Sequence, residues 1–337
     1  MRRTIKLVAA VGALAAVVAV ATSIGLAART AGTTNHAAKL HVTFVAALVN
    51  DSYFVTIRCG AQDEAKAQGV DLTWTGPTSN SVSAELSAFQ AAAVTKPDAM
   101  VLAPFSNTGF GGVVRPLMKK GIPVTLSGQS IEPPDGLTTY ISNFLAGGNS
   151  LATEIGKLTG GTGTMAIVAD TTGNKTDSDR YTGLVPILKK KYPKLKIIGP
   201  QYAQNSTAKG ASVTASFIVG NPDLKLVYAS SGPEAVGAAS AIAAARAGNR
   251  VKLISFDSSP PQIQLLKQGK LAATMAQSPY LTGRLTVRSV VTYVRAHPKK
   301  GPVPASAKLS YTPTLLLTPA NVKTSAGKKY QYFTKCG

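Results

Sequence analysis

The chain has 337 residues, 45% hydrophobic and 15% charged, which supplies a sizeable core and excludes wholesale disorder. The 36 Lys and Arg against 15 Asp and Glu leave a formal net charge of +21, but the basic residues lie scattered in twos and threes without interleaved aromatics. With no nucleic-acid motif beside it, that charge reads as solvated faces, so nucleic acid is excluded as a partner.

In chain order, Met1 to Lys6 form a basic start and residues 7–28 an uncharged apolar run. The small residues at Gly25-Leu26-Ala27 fit a signal peptide over residues 1–27, cleaved near Ala27. The run is also long enough to stay in the bilayer as an uncleaved anchor. No cysteine stands at the junction to carry a lipid, and no later run reaches spanning length. The mature chain is therefore expected to be exported, to the periplasm or extracytoplasmic envelope, after a flexible stretch over residues 28–39.

From there apolar runs alternate with amphipathic ones. Strands are expected at residues 41–48, 70–74, 99–103, 122–127 and 139–142, with helices near 53–68, 82–95, 109–120 and 145–159. The pattern then restarts: strands at 164–169, 195–199, 225–229, 251–256 and 271–276, and helices near 178–191, 206–220, 233–247 and 259–268. A long helix follows at 280–296. Strands apolar on both faces and separated by helices imply parallel sheets covered on both sides. About ten of them exceed one comfortable sheet, so the fold class expected is α/β, with two doubly wound parallel-sheet lobes.

In such sheets ligands sit beyond the carboxyl ends of the strands. Those ends are polar: Asn50-Asp51-Ser52-Tyr53-Phe54, Ser106-Asn107, Gly128-Gln129, Asp170, Ser231, Asp257 and Gln277. Hydroxyls, amides and carboxylates converging from two lobes suit a polyhydroxylated ligand, and Tyr53 and Phe54 can cover its C–H face. The alternative for each is helix capping; Asp177 or Ser178, in "KTDSDR", is a natural N-cap. Phe54, Ile57, Ala61 and Ala65 share helical spacing and should face the sheet, whereas Cys59 lies with Val55, Gln62 and Lys66 on another face. Export permits a disulfide between the two cysteines, Cys59 and Cys336, two free thiols being the alternative.

Catalysis finds no footing. His36, His41 and His297 lack metal-ligand spacing, so no metal is expected, and nucleophile elbow and phosphate loop are both missing. The glycines of "TGGTGTMAIV" precede a strand, whereas a dinucleotide fingerprint follows one. Asp177 and Asp179 point apart on a helix, so they cannot flank one bond. No cofactor is expected.

"VNDSYFVTIRCGAQDEAKAQGVDL" resembles the first strand–helix unit of the periplasmic ribose-binding protein family, and "FDSSPPQIQLLKQGKLAATMAQSP" its late segment. The likeness runs from about Lys39 to about Ala320. It implies a type I solute-binding protein of an ABC sugar importer, with two lobes, three hinge crossovers and an ABC transporter permease as partner. The expected lobes are residues 40–142 with 279–310, and 143–278 with 311–337, hinged near Ser142, Ser278 and Ser310 to Pro313. A monomer is expected, touching the membrane only through the permease or an uncleaved leader.

Carried over residue by residue, the resemblance points to Asn50, Asp51, Tyr53 and Phe54 on one lobe and Ser231, Asp257 and Gln277 on the other; Ser106, Gln129, Asp177 and Ser178 complete the candidate set. Ribose binders carry an Asp-Arg pair where this chain has Gly128-Gln129, and an Arg where it has Ser178. Losing two guanidinium forks argues against ribose. "DLTWTGPTSNSVSAEL" and Asp177 are similar to the autoinducer- and rhamnose-binding branch, of whose autoinducer binders Asp257 is atypical. The expected ligand is a neutral monosaccharide, deoxysugar or polyol, and the alternative role is a sensor subunit passing occupancy to a signalling partner.

Overall fold

The computed structural model describes residues 39–337 apart from Gly173 and Ala307. The expected leader, and the flexible stretch up to residue 38, lie outside the described residues.

The first lobe is built from β1 (His41–Ala46), α1 (Ser52–Gln68), β2 (Asp71–Thr75), α2 (Val82–Val94), β3 (Ala99–Ala103), α3 (Gly111–Lys119), β4 (Val124–Ser127) and β5 (Thr139–Ser142). The second holds α4 (Phe144–Thr159), β6 (Gly163–Ala169), α5 (Lys175–Thr182), α6 (Leu184–Lys191), β7 (Leu195–Tyr202), α7 (Thr207–Gly220), β8 (Leu224–Ala229), α8 (Gly232–Ala244), β9 (Lys252–Phe256), α9 (Pro260–Lys267) and β10 (Ala273–Ala276). The chain then returns to the first lobe through α10 (Pro279–Ala296) and β11 (Leu309–Thr312), and ends in the second with β12 (Leu315–Leu317) and α11 (Ser325–Lys328).

Each lobe carries a six-stranded sheet, ordered β11-β5-β4-β3-β1-β2 and β12-β10-β9-β8-β6-β7. Every pairing is parallel except β12 with β10. The two-faced apolar character of the strands is used in full. In β1, Val42 and Phe44 pack with Ile57, Ala61 and Val290 on one face, while Val45 meets Phe89, Met100 and Met118 on the other. The second sheet is buried likewise, between Leu151, Tyr181 and Leu188 on one side and Phe217, Ala238 and Leu266 on the other.

Helices α1 and α10 cross at contact distance because both are glycine there. A Cβ on Gly60 would lie 1.9 Å from the Tyr280 carbonyl oxygen, and one on Gly283 2.0 Å from that of Ile57. Buried Glu64 holds the crossing together, accepting from Arg288 at 2.7 Å and Arg284 at 3.0 Å. The bonds from Arg288 foremost outweigh burial and pull its carboxyl down to about 2.

Three differences from the sequence reading have local causes. The helix expected at 178–191 is two helices, broken at Gly183, with Pro186 in the first turn of α6 where its missing N–H costs nothing. Its start lies earlier than Asp177 or Ser178, because the Asn174 side chain accepts from the Asp177 amide at 3.1 Å and is the N-cap. The short strands β11 and β12 were not expected. Tyr311 and Thr312 still pair with Ile141 and Ser142, so the third crossing falls at Pro313-Thr314 and the first lobe runs beyond residue 310.

The other crossings fall at Ser142-Asn143 and Gln277-Ser278, between the sheets' strands and the helices that follow. Side chains stitch them together: Ser142 Oγ donates to Gln277 Oε1 at 2.7 Å, and Ser278 Oγ to the Pro313 carbonyl at 2.7 Å.

Candidate functional site

The carboxyl ends of both sheets open on one cleft of about 440 Å³, a size suited to a small organic ligand. Its only lining cation among the described residues is Arg180; no lysine reaches it. The strong positive charge of the chain therefore lies outside the cleft.

The first-lobe wall grows from the turn after β1. Asp51 caps α1 by accepting from the Tyr53 amide at 2.8 Å, and the same residue lines the cleft. Burial lifts its carboxyl above the usual range, the amide bond offsetting part of the rise. Tyr53 and Phe54 line the cleft edge to face, 5.2 Å apart. Gly128 has φ of 78°, and a Cβ there would stand 3.0 Å from the Tyr53 hydroxyl. Glycine at position 128 thus makes room for Tyr53. Phe105 adds a third aromatic, its amide bonded at 3.0 Å to buried Glu85, whose carboxyl is pushed up to about 8 by burial. Between the walls, Gln129 Oε1 accepts from Thr176 Oγ1 at 2.6 Å and so joins the lobes.

The second-lobe wall is charged. Arg180 Nη1 donates to Asp257 Oδ2 at 3.0 Å and to the Ser230 carbonyl at 2.7 Å, with the guanidinium 4.4 Å above the Phe256 ring. Burial alone would lower the Arg180 pKa, but the carboxylates of Asp257 and Asp177 outweigh it and the group stays charged. Asp257 takes φ of 77°, a left-handed conformation that costs a non-glycine residue roughly 1–2 kcal/mol and that Asp tolerates best. Its Oδ1 accepts from Gln277 Nε2 at 2.6 Å and from the Tyr332 hydroxyl at 2.8 Å. Asp170 lines the cleft beside them; burial, then the neighbouring Glu234 and Asp177 carboxylates, push its carboxyl up to about 7.

Of the sequence-selected residues, Asp51, Tyr53, Phe54, Gln129, Ser231 and Asp257 line the cleft. Asn50 does not: β1 ends at Ala46, and the turn that follows leaves Asn50 exposed. Ser106 lies outside the lining too, its hydroxyl 3.2 Å from that of Thr108, while Pro104 and Phe105 take the wall. Ser178 spends its hydroxyl on the Lys175 carbonyl at 2.9 Å, a consequence of the earlier helix start. Asp177 is buried behind the wall, accepting from the Asp170 amide at 3.2 Å. Gln277 is buried in the hinge and reaches the cleft through Asp257 and Tyr332, both of which it bonds. Ser231 donates to Glu234.

Four wall residues were missed. Asp170 and Phe105 stood at strand ends but were passed over. Arg180, two positions past Ser178, places a guanidinium in the cleft lining where none was expected. Tyr332 comes from the C-terminal tail, where no strand-end signal exists. The expected Cys59–Cys336 disulfide is formed, with Cα atoms 5.2 Å apart. On that α1 face Val55 and Cys59 are buried as well, with Phe333 and Cys336 of the tail bonding beside them, while Gln62 and Lys66 stay exposed.

Two α/β lobes, three crossings and a polar cleft at the strand ends define a two-lobed binding protein. Residues 42–298 match the periplasmic binding protein domain family, and the chain belongs to that family. It is an extracytoplasmic solute-binding protein and not an enzyme. Among curated relatives, the ribose import binding protein RbsB of Bacillus subtilis is 27% identical over 241 residues, 72% of this chain and 77% of the relative. The xylitol-binding protein of Mycolicibacterium smegmatis is 26% identical over 272 residues, 80% of this chain and 76% of the relative. A carbohydrate transporter solute-binding protein from Agrobacterium radiobacter, solved with D-arabinose, superposes with a TM-score of 0.77 at 25% identity, covering 87% of this chain and 99% of that one. No described helix is long and apolar enough to cross a membrane.

Proposed function

We propose that this chain captures a neutral monosaccharide, deoxysugar or polyol between its lobes and delivers it to the permease of an ABC importer. The observation that carries this reading is the pairing of unlike walls. Tyr53, Phe54 and Phe105 offer ring faces from one lobe, and the other offers the oriented charged pair of Arg180 and Asp257 beside the carboxyl of Asp170. A sugar has both needs: apolar C–H faces for stacking, and hydroxyls that donate and accept at once. The ribose, xylitol and D-arabinose named for the three relatives are uncharged polyhydroxylated molecules of this class.

Because the ligand touches both walls only when the lobes close, binding shifts the population toward the closed form. The hinge is the trio of crossings at Ser142, Ser278 and Pro313. The Gln129–Thr176 hydrogen bond, which runs from one lobe to the other, would help to hold them together. A monomer working at the outer face of the cytoplasmic membrane, in periplasm or cell envelope, fits the delivery role. The sensor role draws no support from the relatives.

The test is a thermal-shift and calorimetric screen of D-ribose, D-allose, D-arabinose, L-rhamnose and xylitol. At a concentration 100-fold above Kd, a true ligand should contribute about 2.7 kcal/mol of stability. If no sugar or polyol moves the melting temperature, the ligand class is wrong.

A further inference from the structure

The family match ends at residue 298, yet Tyr332, well beyond it, lines the cleft. After α11 the tail lies on the second lobe, with Ser258 donating to the Tyr330 carbonyl and the Tyr332 amide donating to the Ser258 carbonyl at 3.1 Å. One residue later it belongs to the first lobe. The Phe333 amide donates to Thr56 Oγ1 of α1 at 2.6 Å, the Phe333 ring meets Tyr280 at 6.1 Å, and Cys336 is bonded to Cys59 of α1. The chain thus passes between lobes a fourth time, at Tyr332-Phe333, and this passage is covalently fastened.

Tyr332 sits at that passage, buried, and its side chain forms part of the cleft lining. Its hydroxyl donates to Asp257 Oδ1 at 2.8 Å and accepts from Gln277 Nε2 at 3.2 Å. Its ring meets that of Tyr53, across the lobe boundary, at 5.6 Å and 62°. It therefore touches both walls at once, and takes up an acceptor position on Asp257 that a ligand hydroxyl would otherwise use.

We propose that the disulfide-fastened tail is a fourth link between the lobes and a wall of the ligand cleft, with Tyr332 as a residue that sets ligand affinity and fit. The tail holds Asp257 in its left-handed pose and turns its remaining oxygen, shared with Arg180, toward the ligand. Breaking the Cys59–Cys336 bond frees the passage, loosens Tyr332 from Asp257, and costs affinity without touching any other wall residue. The inference rests on the sugar-binding reading for its affinity arm only.

The test uses the full chain and the sugar or polyol from the screen that most raises the melting temperature of the unaltered protein. Kd is measured by calorimetry at a temperature where circular dichroism shows every variant folded. Tyr332→Ala should weaken binding about tenfold or more, and Tyr332→Phe, which keeps the ring and loses only the bond to a charged acceptor, by about tenfold at most. The double variant Cys59→Ala/Cys336→Ala should weaken it several-fold. Dithiothreitol should do the same to the unaltered protein and nothing further to the double variant. A tail that served stability alone would move the melting temperature and leave Kd within twofold, and that result overturns the proposal. Should no sugar bind, the functional reading fails, and hydrogen exchange of the free protein decides the tail. Peptides over residues 253–258 and 274–278 should exchange faster in Tyr332→Phe and in the double cysteine variant. Unchanged protection there overturns the proposal independently.

Discussion

The two walls of the cleft are made of different chemistry. The first lobe presents rings and an amide, with Asp51 partly spent on capping its own helix; the second presents a buried arginine ringed by carboxylates. Rings contribute area and tolerate many ligands, because every sugar has an apolar face. Charged partners held in a dry, fixed geometry discriminate, because each misplaced hydroxyl leaves one of them unpaired. Recognition should therefore be adaptable on the first lobe and strict on the second, and single substitutions can separate the two.

The largest effect is expected at Arg180. Arg180→Ala leaves Asp257 and Asp177 without their cation, and losing one partner of a buried pair costs about 3–5 kcal/mol. Chemical denaturation should show that loss, and calorimetry a fall in affinity of about a hundredfold. Adding Asp257→Asn should recover part of the stability and none of the binding. Asp257→Ala alone should weaken binding tenfold or more, in line with the loss of a charged hydrogen bond.

Acidity probes the lobes separately. Glu85 in the first lobe keeps its proton in the folded state to about pH 8, against 4.5 when free, and Asp170 in the second to about 7, against 3.8. Between each pair of values the folded chain binds more protons than the unfolded one, so stability is complete below the lower value and is lost as pH rises through the upper. The melting temperature should fall by several degrees between about pH 5 and pH 8. Glu85→Gln should flatten the alkaline part of that fall and Asp170→Asn the part below about pH 7; a flat profile in the unaltered protein would contradict both assignments.

Smaller changes belong to the adaptable wall. Phe54→Ala should weaken binding about two- to tenfold while leaving the order of preference among sugars as it was. If that order changes, discrimination is shared by both lobes. Gln129→Ala removes the bond to Thr176 and should cost no more than about fivefold, seen chiefly as faster dissociation in stopped-flow measurements.

Much of the architecture was legible because its signals are local. Two-faced apolar strands such as Ala99–Ala103, and amphipathic helices such as α1, announce a doubly wound sheet without any long-range information. The strand-end rule likewise found Asp51, Tyr53, Gln129, Ser231 and Asp257. Around α5 the family resemblance, not the strand-end rule, had singled out Ser178; with Asn174 as the N-cap, Ser178 bonds the Lys175 carbonyl and Arg180 lines the cleft instead. The strand-end rule failed for Asn50, which a two-residue turn leaves in solvent, and for Ser106, which a neighbouring threonine engages. Tyr332 was beyond any such rule. Its place depends on a bond between residues 277 positions apart, and two cysteines alone said that the tail was tied down without saying what it carried.

The same bond leaves the protein without a free thiol, since both of its cysteines are consumed. A cysteine introduced at Asn80 or Asn205, one on each rim of the cleft, would thus be a unique address for an environment-sensitive dye. Closure of the lobes would change the polarity around that dye, so occupancy could be read as emission intensity. An exported receptor whose native sulfur chemistry is already closed is, in this sense, a ready chassis for an optical sensor of its own ligand.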